Sequence, residues 1–179
     1  ILKDFTDNRS LLSNSSCGIC GKRDWVDLDM HGNPILYPAS TPLNITLLPL
    51  MMKQMAEKQE GFEHSGGCHC AASFTTEGNL LTAFEDVGRH NAVDKLVGHY
   101  ALRNQPVPAD SVLMVSGRAS FEILQKALAG RVPVVCAVSA PSSLAVEFAQ
   151  ESGQTLVGFL RADTFNVYSH PERIMGLGG

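Results

Sequence analysis

Short, continuously apolar runs at 112–115, 134–138 and 155–160 constrain this chain more than any other feature. Each of the first two is followed by a turn of small residues and then by helical spacing, with Phe121, Leu124 and Leu128 in one case and a stretch from about 144 to 151 in the other. A strand that is apolar on both faces must be covered on both faces, which predicts an α/β fold with a mainly parallel central sheet. Right-handed crossovers bring the loops after such strands to one edge, where open α/β sheets bind ligands. Gly130 and Gly153 stand where the two helices should stop.

The segment before these units reads differently. Residues 73–75 and 80–86 flank a tight turn at 76–79 and predict a β-hairpin at the start of the sheet. Ahead of it, Leu47, Leu48, Met51 and Met55 recur at helical spacing over 47–59, with Gly61 as the expected C-terminal cap. After it, Asn91 is the expected N-cap of a helix running to about 103, and 166–168 reads as a last short strand. One domain over 46–179 follows, preceded by a mobile cysteine-bearing segment and connection over 1–45.

Three loops should then share an edge: 88–91 with Arg89 and His90, 116–120 with Arg118, and 139–143 with Ser142 and Ser143. Helix N-terminal amides beside glycine, serine and arginine are phosphate-binding chemistry. Three such loops together predict a site for a large polyanion such as a nucleotide or dinucleotide. Glu85 and Asp86 beside Arg89, His90 and Asp94 read as a structural ion-pair network or an acid/base set, without the order of a hydrolase triad.

The thiols form three groups: Cys17 with Cys20 in a Gly/Ser-rich loop, Cys68 and Cys70 flanking His69, and Cys136 alone. An odd count of five argues against a disulfide scaffold. Cys17-Gly-Ile-Cys20 next to Lys22 and Arg23 reads either as a reactive thiolate pair or as half of a zinc site. His69, among small residues, needs a partner or a ligand. Cys68 and Cys70 read as packed thiols, because alternate residues seldom converge on one ion.

With 14 Lys+Arg against 18 Asp+Glu the net charge is −4, which speaks against sequence-independent nucleic-acid binding. No apolar run approaches the roughly 20 residues of a membrane span. A protein of the cytoplasm, without membrane or nucleic-acid partner, is the expectation.

The blocks 16–22, 66–72, 85–95, 116–122, 139–145 and 168–173 together resemble the formate dehydrogenase accessory sulfurtransferase family (FdhD/NarQ). The block from Glu85 to Lys95 is the most specific of them. The resemblance implies a sulfur carrier that takes persulfide sulfur from a cysteine desulfurase. It would deliver that sulfur to the bis(molybdopterin guanine dinucleotide) molybdenum cofactor, bound as a substrate, for formate dehydrogenase. It implies Cys17 and Cys20 as the sulfur-carrying pair, a homodimer, and a three-layer sandwich resembling the cytidine deaminase fold. A family segment upstream of the cysteine loop is largely absent.

Cofactor-binding residues implied by the resemblance are Phe159, Leu160, Arg161, Ala162, Asp163 and Thr164. To these the loop reading adds Arg89, His90, Arg118, Ser142, Ser143 and His69, with guanine nucleotides as surrogate ligands and no structural metal expected. Cysteines at 68 and 70 depart from the family pattern and leave a local metal site or a sulfur relay open. The zinc-deaminase signature is missing, since Cys70 and Ala71 follow His69, and Ser142 follows Pro141. A zinc-stabilised nucleotide-binding module without sulfur transfer is the alternative.

Overall fold

The structure is a computed structural model that describes residues 34, 35 and 42–177. The cysteine loop with Cys17 and Cys20, and the expected mobility of that segment, lie outside the described residues.

The sheet is built from β2 (His69–Phe74), β3 (Leu80–Asp86), β4 (Val112–Val115), β5 (Val134–Ala137), β6 (Thr155–Gly158) and β7 (Asn166–Ser169), in the spatial order β3-β2-β4-β5-β6-β7. Side chains alternate between its faces. Leu113, Val115, Val135, Ala137 and Leu156 point to one core, where α3 (Arg89–Ala101), α4 (Phe121–Ala129) and α5 (Ser143–Ser152) cover them. Val112, Met114, Val134, Cys136 and Val157 point to the other. There α1 (Leu48–Ala56) contributes Leu48, Met51 and Met55, and the parallel pair β1 (Leu43–Asn44) and β8 (Ile174–Met175) contributes Leu43 and Ile174. Full burial of such side chains is worth about 1.5–3 kcal/mol each.

The expected mainly parallel, cytidine-deaminase-like sheet is corrected by the strand pairings. β4 to β5 and β5 to β6 are parallel, whereas β2 to β3, β2 to β4 and β6 to β7 are antiparallel. The sheet is mixed. The physical reason lies in connection length: a parallel neighbour requires a crossover of a dozen or more residues, while a short turn reverses the chain. The 75–79 turn reverses β2 into β3, and the 159–165 loop returns β7 onto β6. Helix α3 then carries the chain past β2, so β4 lands beside β2 and runs against it.

Three local readings also shift. The first helix stops at Ala56, and Gly61 lies inside α2 (Glu60–Ser65), where its amide and that of Phe62 donate to the Glu85 carboxylate at 2.7 and 2.9 Å. Asn91 sits inside α3 rather than capping it, since Gly88 is the N-cap and the Asn91 amide donates to Asp86 Oδ1. The hairpin's first strand begins at His69, earlier than expected. Gly130 and Gly153 do end α4 and α5, Gly153 in the left-handed conformation at φ 72°.

Candidate functional site

β3 and β4 both run against β2, so they share a direction, and β5 and β6 follow it. The loops after all four strands therefore emerge at one edge, together with the first residue of β2. The sequence-predicted residues of the described chain meet there, although the sheet is not the expected one.

Gly117 lies where the start of β2 meets the 88–91 loop. A Cβ at this position would lie 3.3 Å from His69 Nδ1 and 3.9 Å from Arg89 Cδ, so the bare Cα leaves room for the imidazole and the arginine stem side by side. Just upstream, the Ser116 hydroxyl accepts the Cys70 amide at 2.9 Å and ties the loop to β2. The 139–143 loop is tied to the 116–120 loop by the Ser139 amide on the Gly117 carbonyl and the Ser142 amide on the Ala119 carbonyl. On the far side the Phe159 amide donates to the Ser139 carbonyl, and the Arg161 guanidinium donates to the carbonyls of Val138 and Leu160. The Arg161 amide closes a turn onto Thr164, which places 159–164 against the 139–143 loop. In this segment Leu160 is buried, whereas Phe159, Arg161, Ala162, Asp163 and Thr164 are exposed.

Electrostatically the edge favours anions. Helices α3, α4 and α5 all start here, and their N-terminal ends carry partial positive charge. Ser142 caps α5 by accepting the Ala145 amide at 3.2 Å, while α3 and α4 have no side-chain cap. Arg118 is exposed and makes no hydrogen bond or ion pair with the described residues, and Ser143 is exposed as well. The acids of the region are largely neutralised. Asp86 is held down to about 2 by the Lys95 ammonium, the Gly88 amide and the Asn91 side chain, and Lys95 approaches its Oδ2 to 2.7 Å. Glu85 is engaged by the amides of α2. The structural network, rather than an acid/base set, thus accounts for these two carboxylates.

His90 is occupied on both nitrogens, with Nε2 2.9 Å from Ser120 Oγ and Nδ1 3.0 Å from Glu122 Oε2. Ser120 and Glu122 were not singled out by sequence reasoning as partners of His90. The rest of α3 and all of β4 lie between His90 and these residues, so there is no local signal, although the capping position of Ser120 could have raised it.

The thiols separate. Cys70 faces the α1 core and His69, one residue earlier on the strand, faces the edge. Cys68 Sγ lies beside Gly61 and 3.7 Å from Ser65 Oγ. Among the described residues no three His, Cys, Asp or Glu side chains are grouped to hold a metal ion. Burial pushes the Cys70 and Cys136 thiols up to about 12, with the Glu85 charge adding to the effect at Cys70, so neither is a thiolate at neutral pH. No described helix is long and apolar enough to cross a membrane.

The FdhD/NarQ family model matches residues 2–175, which is nearly the whole chain and includes every loop of this edge. The chain belongs to the FdhD/NarQ family. Among FdhD relatives, the sulfur carrier protein FdhD of Picrophilus torridus is 46% identical over 173 residues, covering 97% of this chain and 66% of its own. That of Streptomyces coelicolor is 47% identical over 178 residues, covering 97% and 62%. The chain thus spans somewhat under two thirds of the length of these FdhD proteins. A crystal structure of a protein assigned as a formate dehydrogenase accessory protein from Desulfotalea psychrophila superposes with a TM-score of 0.72 at 28% identity, over 82% of this chain and 61% of that one. The mixed sheet is therefore an FdhD/NarQ fold.

Proposed function

We propose that this chain is a sulfur carrier and sulfurtransferase of the molybdenum-cofactor pathway, working in the cytoplasm as a homodimer. Cys17 and Cys20 carry the sulfur. A Cys17 thiolate attacks the outer sulfur of a cysteine desulfurase persulfide, the donor's S–S bond breaks, and the donor cysteine leaves as thiolate. The edge described above holds the bis(molybdopterin guanine dinucleotide) cofactor as a substrate, and the client is formate dehydrogenase.

The observation that carries this reading is the convergence of three helix N-termini with Arg89, Arg118 and Arg161 on one edge of an FdhD/NarQ chain. A guanine dinucleotide has phosphates enough to engage several of these groups at once. His69 and the 159–164 loop flank that surface and are assigned to the cofactor's remaining parts. Burial holds Cys70 and Cys136 protonated, which argues against either as the sulfur-carrying thiol. No observation favours the zinc-stabilised module: the Cys68 and Cys70 it would need face different surroundings.

Mass spectrometry after incubation with a cysteine desulfurase and cysteine tests the assignment. Added sulfur is expected on Cys17, lost in Cys17→Ser and retained in Cys136→Ala. Undiminished sulfur loading in a variant lacking both Cys17 and Cys20 would refute it.

A further inference from the structure

Two β-strand–loop–helix units of this fold begin their helices with serine, and the two serines behave differently. Ser142 caps α5 with its hydroxyl. Ser120 occupies the equivalent N-cap position of α4 with extended backbone, yet makes no cap hydrogen bond. Its hydroxyl is turned instead to His90 Nε2 at 2.9 Å. The opposite ring nitrogen, Nδ1, lies 3.0 Å from Glu122 Oε2.

The proton positions follow from chemistry. An ionised carboxylate only accepts, so Nδ1 carries the hydrogen and donates to Glu122. Nε2 is then a lone pair, and Ser120 must donate its hydroxyl proton to it. Serine, histidine and carboxylate are thereby ordered as in nucleophilic triads, which are recognised by geometry and roles rather than by order along the chain. We propose that Ser120, His90 and Glu122 form a second reactive centre, with Ser120 as nucleophile and His90 as general base, acting on small anionic esters.

Surrounding features fit these roles. Ser120 lies at a strand-to-helix turn and is 5% exposed. The first-turn amides of Phe121 and Glu122 have no acceptor within α4 and can receive the oxyanion formed on attack. Exposed Arg118, two residues before the nucleophile, supplies charge for an anionic substrate. Burial lowers the His90 pKa below its ordinary value, which keeps the ring in its basic form at neutral pH. Glu122 and Asp94 oppose that shift, and Arg89 and Lys126 reinforce it.

In the reaction, Ser120 Oγ bonds to the ester carbonyl carbon while its proton passes to Nε2. The ester C–O bond breaks and His90 returns the proton to the leaving alkoxide. Water then attacks the acyl-serine, giving its proton to Nε2. The carboxylic acid leaves as Ser120 recovers its hydrogen, for a net consumption of one ester and one water. This centre shares Arg118 and the α4 N-terminus with the proposed cofactor surface but does not require Cys17.

An alkyl fluorophosphonate probe applied to the full chain tests it: Ser120 Oγ bonds to phosphorus, the P–F bond breaks, fluoride leaves and His90 takes the proton. A phosphonyl adduct mapped to Ser120 by peptide mass spectrometry is expected, absent in Ser120→Ala and formed about 10²-fold more slowly in His90→Gln. Its rate should fall as pH drops through a value lower than that of an ordinary histidine, where His90 becomes protonated. Circular dichroism melts establish that each variant is folded, and the wild-type measurement needs no variant. Absence of an adduct on Ser120 in the folded wild-type chain, or an adduct rate unchanged in folded His90→Gln, would overturn the proposal.

Discussion

Replacing Arg118 by alanine isolates binding from folding more cleanly than any other change at the edge. The side chain is exposed and has no hydrogen bond or ion pair with the described residues, so its loss should alter stability by no more than about 0.5 kcal/mol. Arg161 differs, because its guanidinium also holds two loop carbonyls in place. A charge-assisted hydrogen bond to phosphate contributes about 1.5–3 kcal/mol. Since each 1.4 kcal/mol is tenfold, Arg118→Ala should weaken binding of GDP roughly tenfold to a hundredfold. Isothermal titration calorimetry at fixed ionic strength measures this, with a thermal melt as the folding control. Part of the lost affinity should also be absent from the wild type at high salt, because an exposed charge is screened. An unchanged dissociation constant in a variant with unchanged melting temperature would refute the phosphate-binding assignment of this loop.

Gly153→Ala should be strongly destabilising: the left-handed conformation alone costs about 1–2 kcal/mol, and the new Cβ would lie 2.2 Å from the Ile35 carbonyl oxygen. A melting temperature lowered by at least about 4 °C is expected, and an unchanged one would contradict the packing of Ile35 against this helix end. Asp86, whose folded pKa is about 2 against an ordinary 3.8, contributes stability that is fully present above its unfolded value and lost as pH falls through its folded one. Urea midpoints compared between pH 5 and pH 2 should therefore fall less steeply in Asp86→Asn than in the wild type; parallel slopes would remove the Asp86 network as a source of acid sensitivity. Gly117→Ala, which presses on His69 and Arg89 without a left-handed backbone, should reduce GDP affinity more than it reduces stability, read by calorimetry beside a melt.

Periodicity and punctuation in the chain were enough to place the hairpin, the α4 and α5 units, the glycine stops at 130 and 153 and the gathering of three Gly-, Ser- and Arg-bearing loops at one edge. These are local properties: a period of two or of 3.6, a glycine where φ must be positive, and serine or arginine beside a helix start.

Strand direction was not legible, because an apolar run that is buried on both faces looks the same whichever way its neighbour runs. The length of each connection decided it, and three of five pairings came out antiparallel. Nor could the sequence by itself determine what His90 does. Its partners are 30 and 32 residues further along the chain, and only the placement of α3 against α4 brings Ser120 and Glu122 to its two nitrogens. Long-range side-chain geometry of this kind is set by packing between layers, which residue order does not encode locally, whereas the alternation of strands and helices and the chemistry of each loop are carried by neighbouring residues alone.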